Sequence, residues 1–269
     1  MKVSIKNKLI RYHWLLSNIF GINLRRFLYS MRGIPRFLSN LWLFRRRYSG
    51  KLTLMPCLHD WHEEGGATKS EYFWQDLLVA RWIYEAKPEK HVDVGSRVDG
   101  FVAHVASFRE IEIFDVRLIS AEIPGVVFKQ ADLMRPVEMA SAVRGEGYCD
   151  SLSCLHALEH FGLGRYSDPI NPNGWEQGLV NMSALLKPGG QFYLSIPIGQ
   201  ERVEFNAHRV FDPSTIIRCA ETGGLRCKSL TVIGAGGTVS MMALTNESLR
   251  QLALAHYNLG IYTFIKINQ

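Results

Sequence analysis

One short stretch of the sequence combines an apolar run, a glycine turn and a nearby acidic residue. Residues 91–94 form a short strand-like run, and Gly95 follows at once. The next apolar run, residues 111–115, ends in Asp115. In open α/β sheets a backbone turn of this kind approaches a nucleotide, and a carboxylate about twenty residues further on accepts hydrogen bonds from the ribose. This order of apolar run, glycine turn and later acidic residue therefore predicts a nucleotide-binding crevice.

Arg97 is the departure from the usual glycine-rich loop, because it stands where the second glycine of G-x-G-x-x-G would be. Its side chain has three possible placements: in solvent, paired with Asp99, or against a carboxylate of the ligand. If it fills the crevice, ligand binding fails. No Gly-Lys-Ser or Gly-Lys-Thr follows the loop, and this excludes a P-loop.

A second cluster of reactive side chains lies at residues 154–166, after the fourth apolar run. His156, Glu159 and His160 provide imidazole and carboxylate groups that suit acid–base chemistry. The same residues spell His-x-x-Glu-His, the inverted motif of some zinc peptidases. That interpretation requires the motif to lie inside a helix, with a third ligand further along the chain. Here the motif follows a predicted strand, so we expect no metal. The other interpretation is a helix start whose polar side chains are simply capped or solvated.

A third cluster, Phe205 to Phe211, follows the fifth predicted strand. His208 and Arg209 are placed to reach over a pocket and bind an acceptor carboxylate or phosphate. The alternative is a loop in which Arg209 pairs with Asp212.

The charge of the chain is distributed unevenly. The net charge is +6, yet residues 1–59 contain twelve Lys or Arg residues and no Asp or Glu. Apolar and basic residues alternate over residues 1–50, with one possible face formed by Leu9, Trp14, Leu15, Ile19 and Phe20 and another by Leu24, Phe27, Leu28 and Met31. We expect Gly33-Ile34-Pro35 to interrupt this helical run. The segment is either a helical cap on the domain or a basic amphipathic element on an anionic membrane surface. Nucleic-acid binding is disfavoured, since no recognised motif accompanies the charge.

The five cysteines have neither paired nor metal-type spacing, which fits a reducing compartment. No apolar run reaches about 18 residues, and no signal-peptide cleavage site follows residues 14–24. We therefore expect a cytoplasmic protein, in which residues 1–50 provide any peripheral contact with the inner face of the membrane.

From residue 91 onward, strand-like and helix-like patterns alternate, and this predicts a mostly parallel sheet with helices on both faces. The predicted strands cover residues 91–94, 111–115, 126–128, 151–155 and 191–196, and the predicted helices 72–86, 99–108, 175–186 and 213–222. Gly234-Ala235-Gly236-Gly237 joins the runs 229–233 and 238–244, and so short a connection requires antiparallel neighbours. We assign residues 1–70 to a basic helical arm and loop, 71–246 to an α/β domain, and 247–269 to a C-terminal helix and tail.

Taken together, residues 91–244 resemble the class I S-adenosylmethionine-dependent methyltransferases. The intact Leu-Lys-Pro-Gly-Gly turn at 186–190 and the Leu-Glu-His triplet at 158–160 carry much of the resemblance. The strings at 91–101, 153–166 and 205–209 are similar to an uncharacterised methyltransferase-like family that occurs with bacterial surface-polysaccharide functions. The resemblance implies a doubly wound, seven-stranded Rossmann-like sheet that ends in an antiparallel hairpin.

The resemblance also implies roles for individual residues. S-adenosylmethionine is the expected cofactor, bound by Asp93, Gly95, Ser96, Arg97, Asp115, Asp132 and Leu133. Asp93 would accept from its ammonium group and Asp132 from the adenine amine. His160 or His156 would act as the base, with Glu159 as orienter or alternate base. Arg165, Tyr166, His208 and Arg209 would contact the acceptor.

Three functions fit these observations. The first is methyl transfer to a small hydroxylated acceptor, with a sugar or glycan precursor as the implied class. The second is a non-catalytic binding module in which Arg97 blocks the cofactor and the basic arm docks to a membrane or a partner. The third is an RNA methyltransferase that uses the arm as an electrostatic clamp.

Overall fold

The structure is a computed structural model that describes residues 23–136 and 147–267, together with positions 12, 17 and 21. It divides into two compact units, residues 1–67 and 68–269. The possible face formed by Leu9, Trp14, Leu15, Ile19 and Phe20 lies outside the described residues.

In the first unit, helix α1 spans Leu24–Arg45, and a 3₁₀ turn covers Asp60–His62. The expected interruption at Gly33-Ile34-Pro35 is wrong, because α1 continues through all three residues. A proline removes only one backbone donor, and the rest of the helix ladder remains. Gly33 lets the helix approach its neighbour closely, since a Cβ there would lie 1.9 Å from the Leu58 carbonyl oxygen.

The second unit is a doubly wound α/β domain, and the fold class predicted from the sequence is confirmed. Its strands are β1 (His91–Val94), β2 (Ile111–Asp115), β3 (Val126–Gln130), β4 (Cys149–Leu155), β5 (Leu186–Ile198), β8 (Leu225–Ile233), β9 (Val239–Met242) and β10 (Asn258–Lys266), with a separate ribbon of β6 (Arg202–Glu204) and β7 (His208–Val210). The main sheet has the order β3-β2-β1-β4-β5-β10-β8-β9. Strands β1 to β5 pair in parallel, and β10 runs antiparallel to both of its neighbours.

The helices of this unit are α2 (Glu71–Ala86), α3 (Ala103–Ala106, after a π-helical turn at Val98–Val102), α4 (Gly174–Leu185), α5 (Pro213–Thr222) and α6 (Asn246–Leu254). Local signals fix some of the helix ends. Asp212 caps α5 by accepting from the Ser214 amide, and Pro213 occupies the first turn. Thr245 caps α6 in the same way.

The C-terminal segment is the largest difference from the sequence analysis. Residues 258–266, expected to form part of a separate tail, instead form β10 between β5 and β8. The main sheet consequently has eight strands rather than seven. The predicted hairpin of residues 229–233 and 238–244 does form, as β8 and β9. Tyr262 and Phe264 are fully buried, and burial of both faces explains why β10 is apolar without alternation.

Two hydrophobic clusters cover the two faces of the sheet. One includes Leu152, Phe192 and Tyr262, and the other includes Ile83, Phe101 and Ile113. The strands between them place the polar residues that follow β1, β2 and β4 at one edge of the sheet. All five cysteines are free thiols. Within the described part of the chain, no helix has the length and apolar character needed to cross a bilayer.

Candidate functional site

A cavity of about 460 Å³ opens at the carboxyl ends of the parallel strands in the second unit. Ligands bind at this edge in open α/β sheets. Eleven of the fourteen predicted site residues line the cavity: Gly95, Arg97, Asp115, Asp132, Leu133, His156, Glu159, His160, Arg165, Tyr166 and His208. Asp93, Ser96 and Arg209 do not line it.

Gly95 forms part of the cavity wall with its backbone. Its φ of +71° lies in the left-handed region, which glycine adopts without a steric penalty. A Cβ at this position would lie 2.9 Å from the Ala157 Cβ. Its amide donates to the Phe114 carbonyl at 2.9 Å, and this bond ties the loop to β2. The conformation brings bare backbone up to the cavity, as the sequence pattern predicts.

Asp93 accepts hydrogen bonds from two serines in the protein interior, and this corrects its expected role as an acceptor for an ammonium group. Its carboxylate is fully buried and accepts hydrogen bonds from the Ser96 amide (3.0 Å), the Ser96 hydroxyl (2.7 Å) and the Ser153 hydroxyl (2.5 Å). Burial raises the pKa of Asp93 to about 6, although these hydrogen bonds oppose the shift. Ser96 in turn accepts from the Leu155 amide. Both residues therefore join the glycine loop to β4.

Arg97 does not fill the cavity. Its guanidinium donates to both Asp99 oxygens at 3.0 and 2.7 Å, and its side chain is 61% exposed. It lies 5.9 Å from the centre of the Tyr72 ring. Of the three placements left open by the sequence, the structure shows the pair with Asp99.

Asp115 faces the cavity, but an arginine that the sequence analysis did not select holds its carboxylate. Arg117 donates to Asp115 through Nε (3.0 Å) and Nη2 (2.6 Å), and Nη2 also donates to the Gly95 carbonyl at 3.3 Å. Its guanidinium lies 4.6 Å from the centre of the Tyr166 ring. Asp115 is buried, whereas the Arg117 side chain is 42% exposed. A ligand hydroxyl that binds Asp115 therefore competes with Arg117 for the carboxylate.

The segment after β3 forms an apolar slot next to Asp115. Phe114, Leu133 and Met134 line it. Asp132 accepts from the Met134 amide at 2.9 Å and keeps its other oxygen 3.9 Å from Arg135 Nε. The slot therefore combines three apolar side chains with one carboxylate.

His156, Glu159 and Glu71 form a charged cluster in the wall of the same cavity. His156 Nδ1 lies 2.8 Å from Glu159 Oε1, and His156 Nε2 lies 3.5 Å from Glu71 Oε1. Glu71 also accepts from the Tyr257 hydroxyl at 2.8 Å, and the Tyr72 ring stacks on His156. His156 has a φ of +51°. For a residue with a side chain this conformation is strained, and such strain clusters at functional sites.

The carboxylates around His156 control its protonation. Burial lowers the pKa of His156, but the hydrogen bond with Glu159 and the charges of Glu159 and Glu71 outweigh it and raise the pKa overall. Burial would raise the pKa of Glu159, but the hydrogen bond and charge of His156 lower it overall. The contact therefore favours the protonated form of His156 and the ionised form of Glu159.

His160 differs from His156 in its tautomer and its charge. Its Nδ1 lies 2.7 Å from the Ala207 carbonyl oxygen. A carbonyl can only accept, so Nδ1 carries the hydrogen and Nε2 keeps a lone pair in the neutral ring. Burial lowers the pKa of His160; the charge of Glu159 opposes this shift, and the positive charge of Arg165 adds to it. Its Nε2 lies 3.8 Å from Glu159 Oε1. His160 is thus a neutral base beside a carboxylate.

Three of the expected acceptor-binding residues lie at the cavity and one does not. Arg165 donates to the Ala207 carbonyl at 2.8 Å, and the Tyr166 ring packs against His160. Burial lowers the pKa of His208. Arg209 is buried, and it donates to the carbonyls of Glu159, Phe161 and Pro172. This corrects both interpretations of Arg209, which neither reaches the acceptor nor pairs with Asp212 but supports the loop that carries His160.

The cavity is also lined by four residues that were not predicted from the sequence: Glu71, Tyr72, Arg117 and Tyr257. The first two lie at the start of the predicted helix, but nothing in its pattern pointed to the cavity. Arg117 had a local signal, because it lies two residues after the acid that ends β2. Tyr257 had none, since its contact with Glu71 depends on the placement of β10. The His-x-x-Glu-His string lies after β4 and includes a 3₁₀ turn at Leu158–His160 instead of a helix, which removes the structural requirement of the zinc-peptidase interpretation.

Comparisons with known proteins are informative mainly about the fold. Residues 105–220 match the family described as "Caenorhabditis protein of unknown function, DUF268". No curated protein matches the sequence.

Among solved structures, the chain is similar to the [4+2]-cyclase SpnF, with 12% identity, a TM-score of 0.50, and coverage of 72% of this chain and 81% of that chain. It is also similar to the 1,6-didemethyltoxoflavin-N1-methyltransferase of Burkholderia thailandensis (13% identity, TM-score 0.49, coverage 74% and 80%) and to the N-methyltransferase NodS of Bradyrhizobium japonicum WM9 (11% identity, TM-score 0.47, coverage 77% and 92%). The likeness to SpnF supports the doubly wound fold. A shared fold does not fix the reaction.

Proposed function

We propose that the protein transfers a methyl group from S-adenosylmethionine to a hydroxyl group of a small acceptor. One observation carries the proposal. A single cavity is lined by the Gly95 backbone and the carboxylates of Asp115 and Asp132, and also by the neutral base His160 beside the Glu159 carboxylate. The first group suits a nucleoside, and the second can remove a proton.

The cavity residues around Gly95 and Asp115 fit this cofactor. Gly95 leaves room for the ligand against bare backbone, and Asp115 can accept from both ribose hydroxyls. The slot lined by Phe114, Leu133 and Met134 suits the adenine ring, and Asp132 can accept from its amine. In this fit the ribose competes with Arg117 for Asp115, and the partial exposure of the arginine allows it to move aside without a change in the backbone.

His160 is the proposed general base. When bound, the cofactor supplies an electrophilic methyl group on a sulfonium. His160 Nε2 would take the proton of the acceptor hydroxyl; the oxygen would gain the methyl group while the sulfur–methyl bond breaks and S-adenosylhomocysteine leaves. The Ala207 carbonyl holds the ring in the required tautomer, and Glu159 stabilises the imidazolium that forms. A positioned histidine base contributes about 10² to 10⁴-fold in rate.

His156 is a weaker candidate for the base. It lies between Glu159 and Glu71, and its raised pKa keeps it protonated up to a higher pH than an ordinary histidine. A protonated imidazole cannot accept a proton. We propose that it fixes the Glu159 carboxylate in place. Arg165, Tyr166 and His208 then remain as proposed contacts of the acceptor.

The class of the acceptor is a finer proposal. The resemblance of the strings at 91–101, 153–166 and 205–209 to proteins that occur with surface-polysaccharide functions favours a sugar or glycan precursor. Incubation of the purified protein with methyl-labelled cofactor and a cell extract tests this. The label should enter a carbohydrate fraction, and label found only in protein or RNA would contradict it.

Binding of S-adenosylhomocysteine is the first test of the whole proposal. Isothermal titration should show saturable binding to wild type, and a ligand at 100 times its Kd should stabilise the fold by about 2.7 kcal/mol. Asp115→Asn should weaken binding, whereas Glu85→Gln, which changes an exposed carboxylate of α2 that does not line the cavity, should not. The absence of both heat and thermal stabilisation with wild type would refute the proposal.

Transfer of label is the second test. His160→Gln should reduce the rate at least a hundredfold while leaving the affinity for S-adenosylhomocysteine unchanged. An equal loss in both measurements would show that His160 supports the fold of the cavity and does not act in the reaction.

The pair of Asp115 and Arg117 favours a second candidate function, a binding module that does not use this cofactor. In that case the pair is a permanent part of the structure. The titration separates the two functions: a module of this kind binds S-adenosylhomocysteine neither as wild type nor as Arg117→Ala.

A further inference from the structure

One side of α1 carries a continuous row of exposed apolar side chains, which we call the apolar stripe. Its members are between 50% and 59% exposed: Leu24, Phe27, Leu28, Met31, Leu38 and Trp42. Their spacing of three, four or seven residues places them on one face of the helix. The stripe extends over about 27 Å at a rise of 1.5 Å per residue. Single exposed apolar residues need no explanation, but a contiguous row of this size marks an interaction surface.

The charge beside the stripe has one sign. α1 contains Arg32 and Arg45, and Arg46 and Arg47 follow directly. Arg46 lies 4.6 Å from the centre of the Trp42 ring. Two further arginines of α1, Arg26 and Arg36, contact His59 and Trp61 within the first unit. The first acidic residue of the chain is Asp60. The partner of this surface must therefore be apolar where it meets the stripe and anionic on either side of it.

We infer that α1 lies on the surface of an anionic lipid bilayer, with the apolar stripe in the acyl boundary and the arginines among the headgroup phosphates. A bilayer of this kind supplies both requirements over the whole length of the helix. Trp42 belongs to the stripe, and its indole suits the boundary between headgroups and acyl chains.

The helix lies on the bilayer and does not cross it. Its arginines recur along its length, and α1 does not qualify as a membrane span. The stripe covers only one side of the helix, while another side packs within the first unit, where Gly33 meets the Leu58 carbonyl. This arrangement buries one face to the depth of the headgroups, as interfacial helices do.

Sedimentation with lipid vesicles tests the inference on the full chain. At low salt the protein should sediment with phosphatidylcholine vesicles that contain about one third phosphatidylglycerol, and much less with pure phosphatidylcholine. Each arginine near a charged surface strengthens binding by about fivefold, so Arg32→Gln combined with Arg46→Gln should weaken it by roughly twenty-five-fold. Raising the salt concentration should weaken it as well.

Matched variants separate the stripe from general properties of the surface. Leu28→Gln removes a stripe residue and should weaken vesicle binding at least tenfold, as expected for a leucine that leaves an apolar environment. Leu254→Gln removes an equally large leucine that is 70% exposed at the end of α6 and should have no effect. Arg226→Gln combined with Lys228→Gln removes two exposed charges from β8, outside α1, and should leave vesicle binding unchanged. Circular dichroism of each variant confirms that it is folded.

Three outcomes would overturn the inference. They are no binding to anionic vesicles at low salt, equal binding to anionic and neutral vesicles, and equal effects of Leu28→Gln and Leu254→Gln. Light scattering covers a fourth outcome, in which the stripe joins two copies of the chain: a dimer that Leu28→Gln dissociates, without vesicle binding, would assign the surface to self-association.

Discussion

Replacement of Arg117 by alanine should increase the affinity for S-adenosylhomocysteine. In the free protein Arg117 donates two hydrogen bonds to the Asp115 carboxylate, which is the proposed acceptor for the ribose. In wild type the ribose competes with this side chain for the carboxylate, whereas in the variant only the backbone amide of residue 117 still donates to it, at 2.8 Å. The prediction concerns one side chain that is 42% exposed and whose other cavity contacts are with the Gly95 carbonyl and the Tyr166 ring.

The exposure of the arginine limits the size of the effect. Exposed ion pairs contribute about 0.2–1 kcal/mol, and the bidentate geometry and buried carboxylate place this pair at the upper end. A cost of about 1 kcal/mol corresponds to roughly fivefold tighter binding in Arg117→Ala. Salt screens such a pair, so the affinity of wild type should rise with ionic strength while that of the variant changes little.

Isothermal titration at two salt concentrations measures both effects. Arg165→Ala is the matched control, because it removes another cavity arginine that does not contact Asp115. In the background of Asp115→Asn, the substitution of Arg117 should have no further effect. Weaker binding by Arg117→Ala would refute the reasoning, since it would show that the arginine contacts the ligand and does not compete with it.

Three further predictions concern His160, Gly95 and His91. The rate of wild type should rise with pH through a pKa below the usual histidine value near 6.5, because burial lowers the pKa of His160; a rise centred above 7 would assign the base to another group. Gly95→Ala should lower the free energy of unfolding, measured in urea, by about 2 kcal/mol. The new Cβ would lie 2.9 Å from Ala157, and the left-handed backbone would be strained as well. Gly189→Ala introduces the same backbone strain without a close contact, so it should lower the free energy of unfolding by less. Burial lowers the pKa of His91 to about 3, so the stability that neutral His91 contributes is lost as the pH falls below about 6.5. The difference in unfolding free energy between wild type and His91→Gln should therefore shrink by on the order of 2 kcal/mol between pH 7 and pH 4.5. A difference that does not change with pH would show that His91 is not buried in its neutral form.

The sequence by itself determined the elements and their order. The apolar runs, the glycine at position 95 and the cap at Asp212 are local signals, since each depends on residues a few positions apart. They predicted β1, β2, α5 and the β8–β9 hairpin closely, and they placed eleven of fourteen candidate residues at one cavity. Parallel strands align their carboxyl ends, so strand ends that are distant in sequence converge without any knowledge of the packing.

Tertiary structure alone decided which polar groups face the cavity and which are already satisfied. Asp93 and Asp115 end neighbouring strands with the same side-chain chemistry, yet the first is bound by Ser96 and Ser153 and the second faces the ligand space. The tautomer of His160 depends on a carbonyl 47 residues away, and β10 depends on pairing with a strand about 70 residues earlier in the chain. These outcomes arise from contacts between distant segments, which local periodicity does not encode.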